Sequence, residues 1–316
     1  MRHPNPSHRL VPFVVVLVAA AVGSCTSARP AAERPLPVID ALVHTNFDGK
    51  EFAESRVVFS KEELAAEMRR NDVVGAVSVN RPGDPIADLS GSNVVACGNV
   101  GATEDAAALE SGLASRRYRC LTIYLGVGDR YAYDRAYEPM YQLAERYRVP
   151  VVFYIVGSSL TYGDPHTVDR VARSHPRVTF VLAHAADPRT IAERDRDEFL
   201  NKKVPYHFYS FAHQTQVAAE VAAANPNVVL DGSGLLIGDL RSEERDAITE
   251  YLVKPVKSAF AKVGPAKLLF GSGWPVTDIG PYLEAFKRAI PRSDWQAVLH
   301  DNAARVYGFG EASPAN

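Results

Sequence analysis

The chain has 316 residues, 47% of them hydrophobic and 23% charged, and 35 basic against 37 acidic side chains give a formal net charge of −2. That balance excludes a disordered chain, a collagen-like repeat and a many-span membrane protein, and the lack of a basic surplus argues against a dedicated nucleic-acid binder. The three cysteines, Cys25, Cys97 and Cys120, are too few for a disulfide scaffold and form no C-x-x-C metal pair.

The first 25 residues read as an address. Arg2 and Arg9 precede an apolar run from Leu10 to Gly23, and no acidic residue occurs before Glu33. Such a run is shorter than the roughly 20 residues needed to cross a hydrocarbon core. A basic start, a short apolar centre and small residues at its end are instead the parts of a secretory signal. The end, Ala21-Val22-Gly23-Ser24-Cys25, resembles a bacterial lipobox, whose cysteine is lipidated and becomes the first residue after cleavage. An ordinary signal peptide with an incidental cysteine is the alternative. The resemblance implies a signal peptide over 1–24, a tether over 25–36 and lipidation at Cys25. The product would be an exported lipoprotein held to a cell-envelope membrane through its lipid alone.

From Pro37 the pattern alternates short β-branched runs with longer amphipathic ones. The strand candidates are Pro37–Val43, Val73–Val79, Asn93–Cys97, Arg119–Leu125, Pro150–Val156, Val178–Ala183, Asn227–Asp231 and Lys267–Gly271. Each is nearly all apolar, as strands covered on both faces are. Ser60-Lys61-Glu62-Glu63 is a capping box that opens a helix through Leu64 and Met68. Tyr137–Tyr147, Val217–Ala224 and Ser242–Lys262 carry apolar residues at helical spacing. Eight strands separated by helices predict a (β/α)8 TIM barrel over 37–309, with 310–316 as a tail. An open doubly wound sheet is less well served, because no G-x-G-x-x-G follows the first strand. The longest irregular connection, Asp187–Gln214, holds a charged cluster and an aromatic patch over Tyr206–Phe211. It reads either as a lid or as a surface excursion.

In such a barrel the reacting groups stand at the C-terminal strand ends. Those ends carry Leu42 and His44, Thr122 and Tyr124, Tyr154, His184, Asp231 and then Ser272-Gly273-Trp274-Pro275. Positions i and i+2 of a strand face the same way, so His44 shares the mouth with Leu42 and converges there with His184.

The segment Val38-Ile39-Asp40-Ala41-Leu42-Val43-His44 resembles the I-D-x-H-x-H opening of the amidohydrolase superfamily, in the branch of aminocarboxymuconate-semialdehyde decarboxylase-like enzymes. The resemblance continues through Leu121–Gly126, Val149–Gly157, Val178–His184, Asn225–Gly234, Leu269–Pro275 and Asp301–Gly308. It implies a TIM barrel that carries out hydrolysis or non-oxidative decarboxylation with a divalent ion such as zinc. The departures fall on the ligand positions. Leu42 stands for the first histidine of strand one, Thr122 for a lysine, Tyr154 for the strand-five histidine and Gly273 for the catalytic aspartate of F-G-S-D-W-P. Among these positions only His44 and His184 match.

Two imidazoles fall short of the three protein ligands of a catalytic zinc. Asp231 and Asp278 are the nearest substitute carboxylates by sequence, and Tyr154 could join the two histidines in a metal-free acid–base cluster, with Ser272 as a conceivable nucleophile. A small-molecule pocket lined by Tyr124, Tyr154 and Trp274 would suit a planar ligand. Three readings stay open: a degenerate site that binds a small molecule, a rebuilt mononuclear metal site using His44, His184 and an aspartate, and a structural envelope protein.

Overall fold

The computed structural model describes residues 36–310 except 54, 81–82, 85–86, 101–105, 126–128, 156–161, 187–210 and 235–244. The signal, lipidation site and nearly all of the tether therefore lie outside the described residues, as does most of the Asp187–Gln214 connection. From Leu36 onward the chain forms one compact unit.

Eight strands make a single sheet in chain order, every neighbouring pair parallel: β1 (Val38–Val43), β2 (Val73–Ser78), β3 (Val94–Asn99), β4 (Tyr118–Leu125), β5 (Val151–Ile155), β6 (Phe180–Ala183), β7 (Val228–Asp231) and β8 (Leu268–Leu269). The described helices are α1 (Lys61–Arg70), α2 (Ala106–Ala114), α3 (Glu138–Tyr147), α4 (His166–Ser174), α5 (Phe211–Ala224), α6 (Arg245–Val263), α7 (Ile279–Lys287) and α8 (Asn302–Tyr307). The predicted strand order of a (β/α)8 barrel is thus observed, although among the described residues no helix separates β2 from β3. β8 is shorter than the predicted Lys267–Gly271, because the Phe270 N–H bonds the Val298 carbonyl at 3.2 Å and not a neighbouring strand. α5 starts at Phe211, six residues before the predicted Val217. Ser60 caps α1 as expected, its Oγ accepting the Glu63 N–H at 3.2 Å.

Alternation divides the apolar residues into two layers. On β5, Val151, Phe153 and Ile155 face the helices, with Phe153 stacked on Phe180 at 5.6 Å, while Val152 and Tyr154 face inward. The inner set includes Leu42, Val77, Val79, Val181, Ala183 and Leu269, with Val306 and Tyr307 of α8 joining it from the floor. Burial on both faces is what makes these strands read as continuous apolar runs.

The seam between β8 and β1 is closed by backbone bonds. Ala41 N–H reaches the Phe270 carbonyl at 2.8 Å, Gly273 N–H the Leu42 carbonyl at 2.9 Å, and His44 N–H the Trp274 carbonyl at 2.8 Å. The buried Asp40 carboxylate adds to them, accepting the Ser272 amide at 2.9 Å and its hydroxyl at 2.6 Å.

One feature was absent from the sequence reading. Cys97 on β3 and Cys120 on β4 are register partners with Cα atoms 4.4 Å apart, and they form a disulfide in the inner layer. Their 23-residue separation hid this pairing, since only the parallel β3–β4 register brings them side by side.

Candidate functional site

The structure brings His44, Tyr124, Tyr154 and His184 together at the C-terminal mouth. Tyr154 is the centre of the group. Its ring stacks on Tyr124 at 4.5 Å, meets His184 edge-on at 4.4 Å, and lies 6.2 Å from His44. The β4–β5 register sets Tyr124 opposite Tyr154, so the stack follows directly from strand pairing. Tyr124 is fixed further by its hydroxyl, which donates to the Asn80 carbonyl at 2.9 Å.

Both histidines are held by backbone carbonyls. His44 Nδ1 lies 2.6 Å from the Val79 carbonyl, and His184 Nδ1 lies 2.9 Å from that of Ser233. A carbonyl can only accept, so each Nδ1 carries the proton and Nε2 is the basic nitrogen. His184 and the following Ala185 have φ of +56° and +45°, a left-handed turn that few residues other than glycine adopt. It re-aims the chain as β6 ends, a type of strain that concentrates at functional sites.

The remaining candidates take other places. Asp231 is fully buried on β7 and accepts the Ser233 amide at 2.8 Å and its hydroxyl at 3.0 Å. The same hydroxyl lies 3.1 Å from His184 Nδ1, so Asp231 reaches the histidine only through Ser233. Burial pushes its carboxyl up to about 7, helped by the nearby charge of Asp40, which burial raises to about 6. Asp278 is the N-cap residue of α7, near Glu67 of α1 in the helical layer, whose carboxyl is raised first by burial and further by Asp278. Trp274 is fully buried against Phe47 and Phe59 at 6.2 and 5.5 Å, in the outer apolar layer and not beside Tyr154. Ser272 gives its hydroxyl to Asp40 and accepts the Trp274 amide at 3.0 Å, which makes it a turn residue.

The donor set can be weighed against a catalytic ion. The two Nδ1–carbonyl bonds give both imidazoles the tautomer a ligand needs. Around them, however, Leu42 is fully buried in the inner layer and Thr122 is buried on β4 below Tyr124, while the Tyr154 ring packs against His184. Gly273 has φ +74°, and a Cβ there would lie 3.3 Å from Gly234. Among the described residues no three His, Cys, Asp or Glu side chains are grouped to hold a metal. This set does not fit the family's ion, which takes three protein ligands. Beside His44 a cleft of about 330 Å³ opens, lined also by Asn46, Phe52, Phe59 and Pro275, with three carboxylates, Asp48, Glu51 and Asp84, to one ammonium, Lys50. Sequence reasoning missed this cleft because its walls come from irregular segments after β1, β2 and β8.

Eight parallel strands paired in chain order, with helices between most of them, are the architecture of a TIM barrel. The amidohydrolase model Amidohydro_2 matches residues 93–309, and the chain belongs to that family. Its fold is similar to an amidohydrolase from Burkholderia multivorans with bound zinc (17% identity, TM-score 0.58, covering 86% of this chain and 99% of that one). It is also similar to 5-carboxyvanillate decarboxylase from Sphingomonas paucimobilis (15%, TM-score 0.53, 86% and 99%). A third is 2,6-dihydroxybenzoate decarboxylase from Rhizobium (14%, TM-score 0.55, 87% and 99%). No curated protein matches the chain.

Proposed function

We propose that this chain is an exported lipoprotein whose amidohydrolase barrel binds a small planar molecule at its mouth without the family's metal-dependent chemistry. The observation that carries the reading is the position of Tyr154. Stacked on Tyr124 and set edge-on to His184, it supplies an aromatic wall at a position where the family's sequences carry a histidine. Leu42 supports the same reading, since an alkyl side chain there has no lone pair to offer.

Two of the similar structures act on aromatic carboxylates by their names, 5-carboxyvanillate and 2,6-dihydroxybenzoate. A planar ring in the cleft beside His44 would pack against Phe52 and Phe59, with Lys50 and the carboxylates Asp48, Glu51 and Asp84 on the surrounding walls. The Cys97–Cys120 disulfide is in keeping with export, because such bonds persist in oxidising compartments.

Calorimetry of the purified barrel with 2,6-dihydroxybenzoate and 5-carboxyvanillate, with and without a chelator, tests the proposal. Expected are chelator-insensitive binding, weakened by Tyr154→Ala, and no release of carbon dioxide. Metal-dependent turnover abolished by His44→Ala and His184→Ala would replace this reading with the rebuilt catalytic site.

A further inference from the structure

The loops that lead into the strands, together with α8, build the floor of the barrel, and this floor is rich in arginine. Arg116 and Arg119 flank the start of β4, Arg146 and Arg148 close α3 ahead of β5, Arg177 precedes β6, and Arg305 stands on α8. All are exposed except the half-buried Arg119. They line two adjoining clefts of about 620 and 340 Å³, which share Arg146, Arg148 and Arg305. Arg146 and Arg177 pair with Glu110 and Glu145. Arg119 and Arg305 donate to the carbonyls of Gly308 and Ala266 at 2.7 and 3.1 Å, which orients their charge without neutralising it. Attraction to helix C-termini accounts for Arg116, Arg146, Arg148 and Arg305, each at or just past a helix end, but not for Arg119 or Arg177. The loops leaving β1 and β4 at the other end carry the exposed carboxylates Asp48, Glu51 and Asp129. Lys50, Arg56 and Arg130 stand among them, and Asp72 and Asp301 are exposed on the floor, so the arginine excess belongs to the two clefts and not to the whole end.

We propose that the arginine floor is a docking surface for an anionic phospholipid bilayer, which holds the barrel with its mouth turned away from the membrane. The anchor part of this inference rests on the lipoprotein reading; the charge does not. Leu36 leads into β1 at this same end, where the Val38 N–H bonds the Asp72 carbonyl at 3.0 Å. The 11 residues Thr26–Leu36 reach roughly 40 Å when fully extended and about 17–20 Å as a flexible chain. A lipid on Cys25 would keep the floor near headgroups, whose field decays over about 8 Å in physiological salt. The arginines are spread over three strand starts and α8 and do not converge on one point, which suits many headgroups better than one ion.

The test is co-sedimentation of the lipid-free barrel, from Leu36 onward, with phosphatidylglycerol–phosphatidylcholine vesicles and with phosphatidylcholine alone, at low and high salt. The barrel binds the anionic vesicles only, and salt weakens the binding. Each basic group near an anionic surface adds about fivefold to partitioning. Arg116→Glu, Arg148→Glu and Arg177→Glu together therefore lower it at least ~100-fold. Arg130→Glu, on the exposed loop beyond the C-terminal end of β4, leaves it unchanged. Thermal melts establish that the triple variant is folded; if it is not, the three single Arg→Gln variants carry the comparison. Equal binding to neutral vesicles, undiminished binding by the variants, or full competition by millimolar inorganic phosphate overturns the proposal. Fatty-acid labelling of the full chain, with Cys25→Ser as control, reads the anchor separately. A barrel that binds anionic vesicles while Cys25 stays unlabelled keeps the surface and loses only the lipoprotein reading.

Discussion

Tyr154 and His184 meet edge to face, with ring planes at 83° and centroids 4.4 Å apart. This contact fills with carbon the space beside a histidine whose Nδ1–H is already committed to the Ser233 carbonyl. Combining Leu42→His with Tyr154→His adds two imidazoles beside His44 and His184. The double variant should bind zinc roughly 100-fold more tightly than the parent chain in a chelator competition. Equal affinity would mean that the strand ends do not converge as described.

Restoring the aspartate at position 273 should fail on its own. The backbone there has φ +74°, and a Cβ would approach the Gly234 Cα and N to 3.3 Å. Gly273→Asp is expected to cost about 1–3 kcal/mol in chemical unfolding and to add no measurable metal affinity.

Asp40 and Asp231 make stability depend on pH. Burial raises their carboxyls to about 6 and about 7, against about 3.9 in an unfolded chain. Between pH 4 and 7 the folded state therefore binds more protons than the unfolded one, and stability falls as pH rises. The melting temperature should drop across that window and then level off. Asp231→Asn, which can still accept from Ser233, should flatten the upper part of the decline; a slope unchanged in this variant would contradict the assignment.

The Cys97–Cys120 bond closes a loop of 23 residues, for which chain entropy gives about 3 kcal/mol of stabilisation. Cys97→Ala with Cys120→Ala, or reduction under mild denaturant, should lower unfolding stability by about that amount. Thiol titration of the native protein should find no free thiol at either position.

The barrel was legible because burial on both faces writes strands as uninterrupted apolar runs, such as Val151–Ile155 and Val228–Asp231. His44, His184, Tyr124 and Tyr154 were legible for a related reason, since a strand end fixes where its last inward residue stands. Asp231 was visible as a titratable group, but its bonds to Ser233 depend on a turn that no periodicity records. The place of Trp274 was misjudged because its neighbours Phe47 and Phe59 come from an irregular loop after β1. The disulfide was invisible for want of register, which only pairing between strands supplies.

β8 contributes two residues to the sheet, so the wall is thinnest there, and the turn through Ser272 and Trp274 completes it with the help of Asp40. In sequence, that turn is also the stretch that most resembles a catalytic signature. Any substitution that loosens it would open the cylinder along its side before it altered the mouth. Selection on such a stitch would by itself preserve Phe270–Pro275, so the presence of the motif reports how the wall is closed, whatever chemistry the mouth performs.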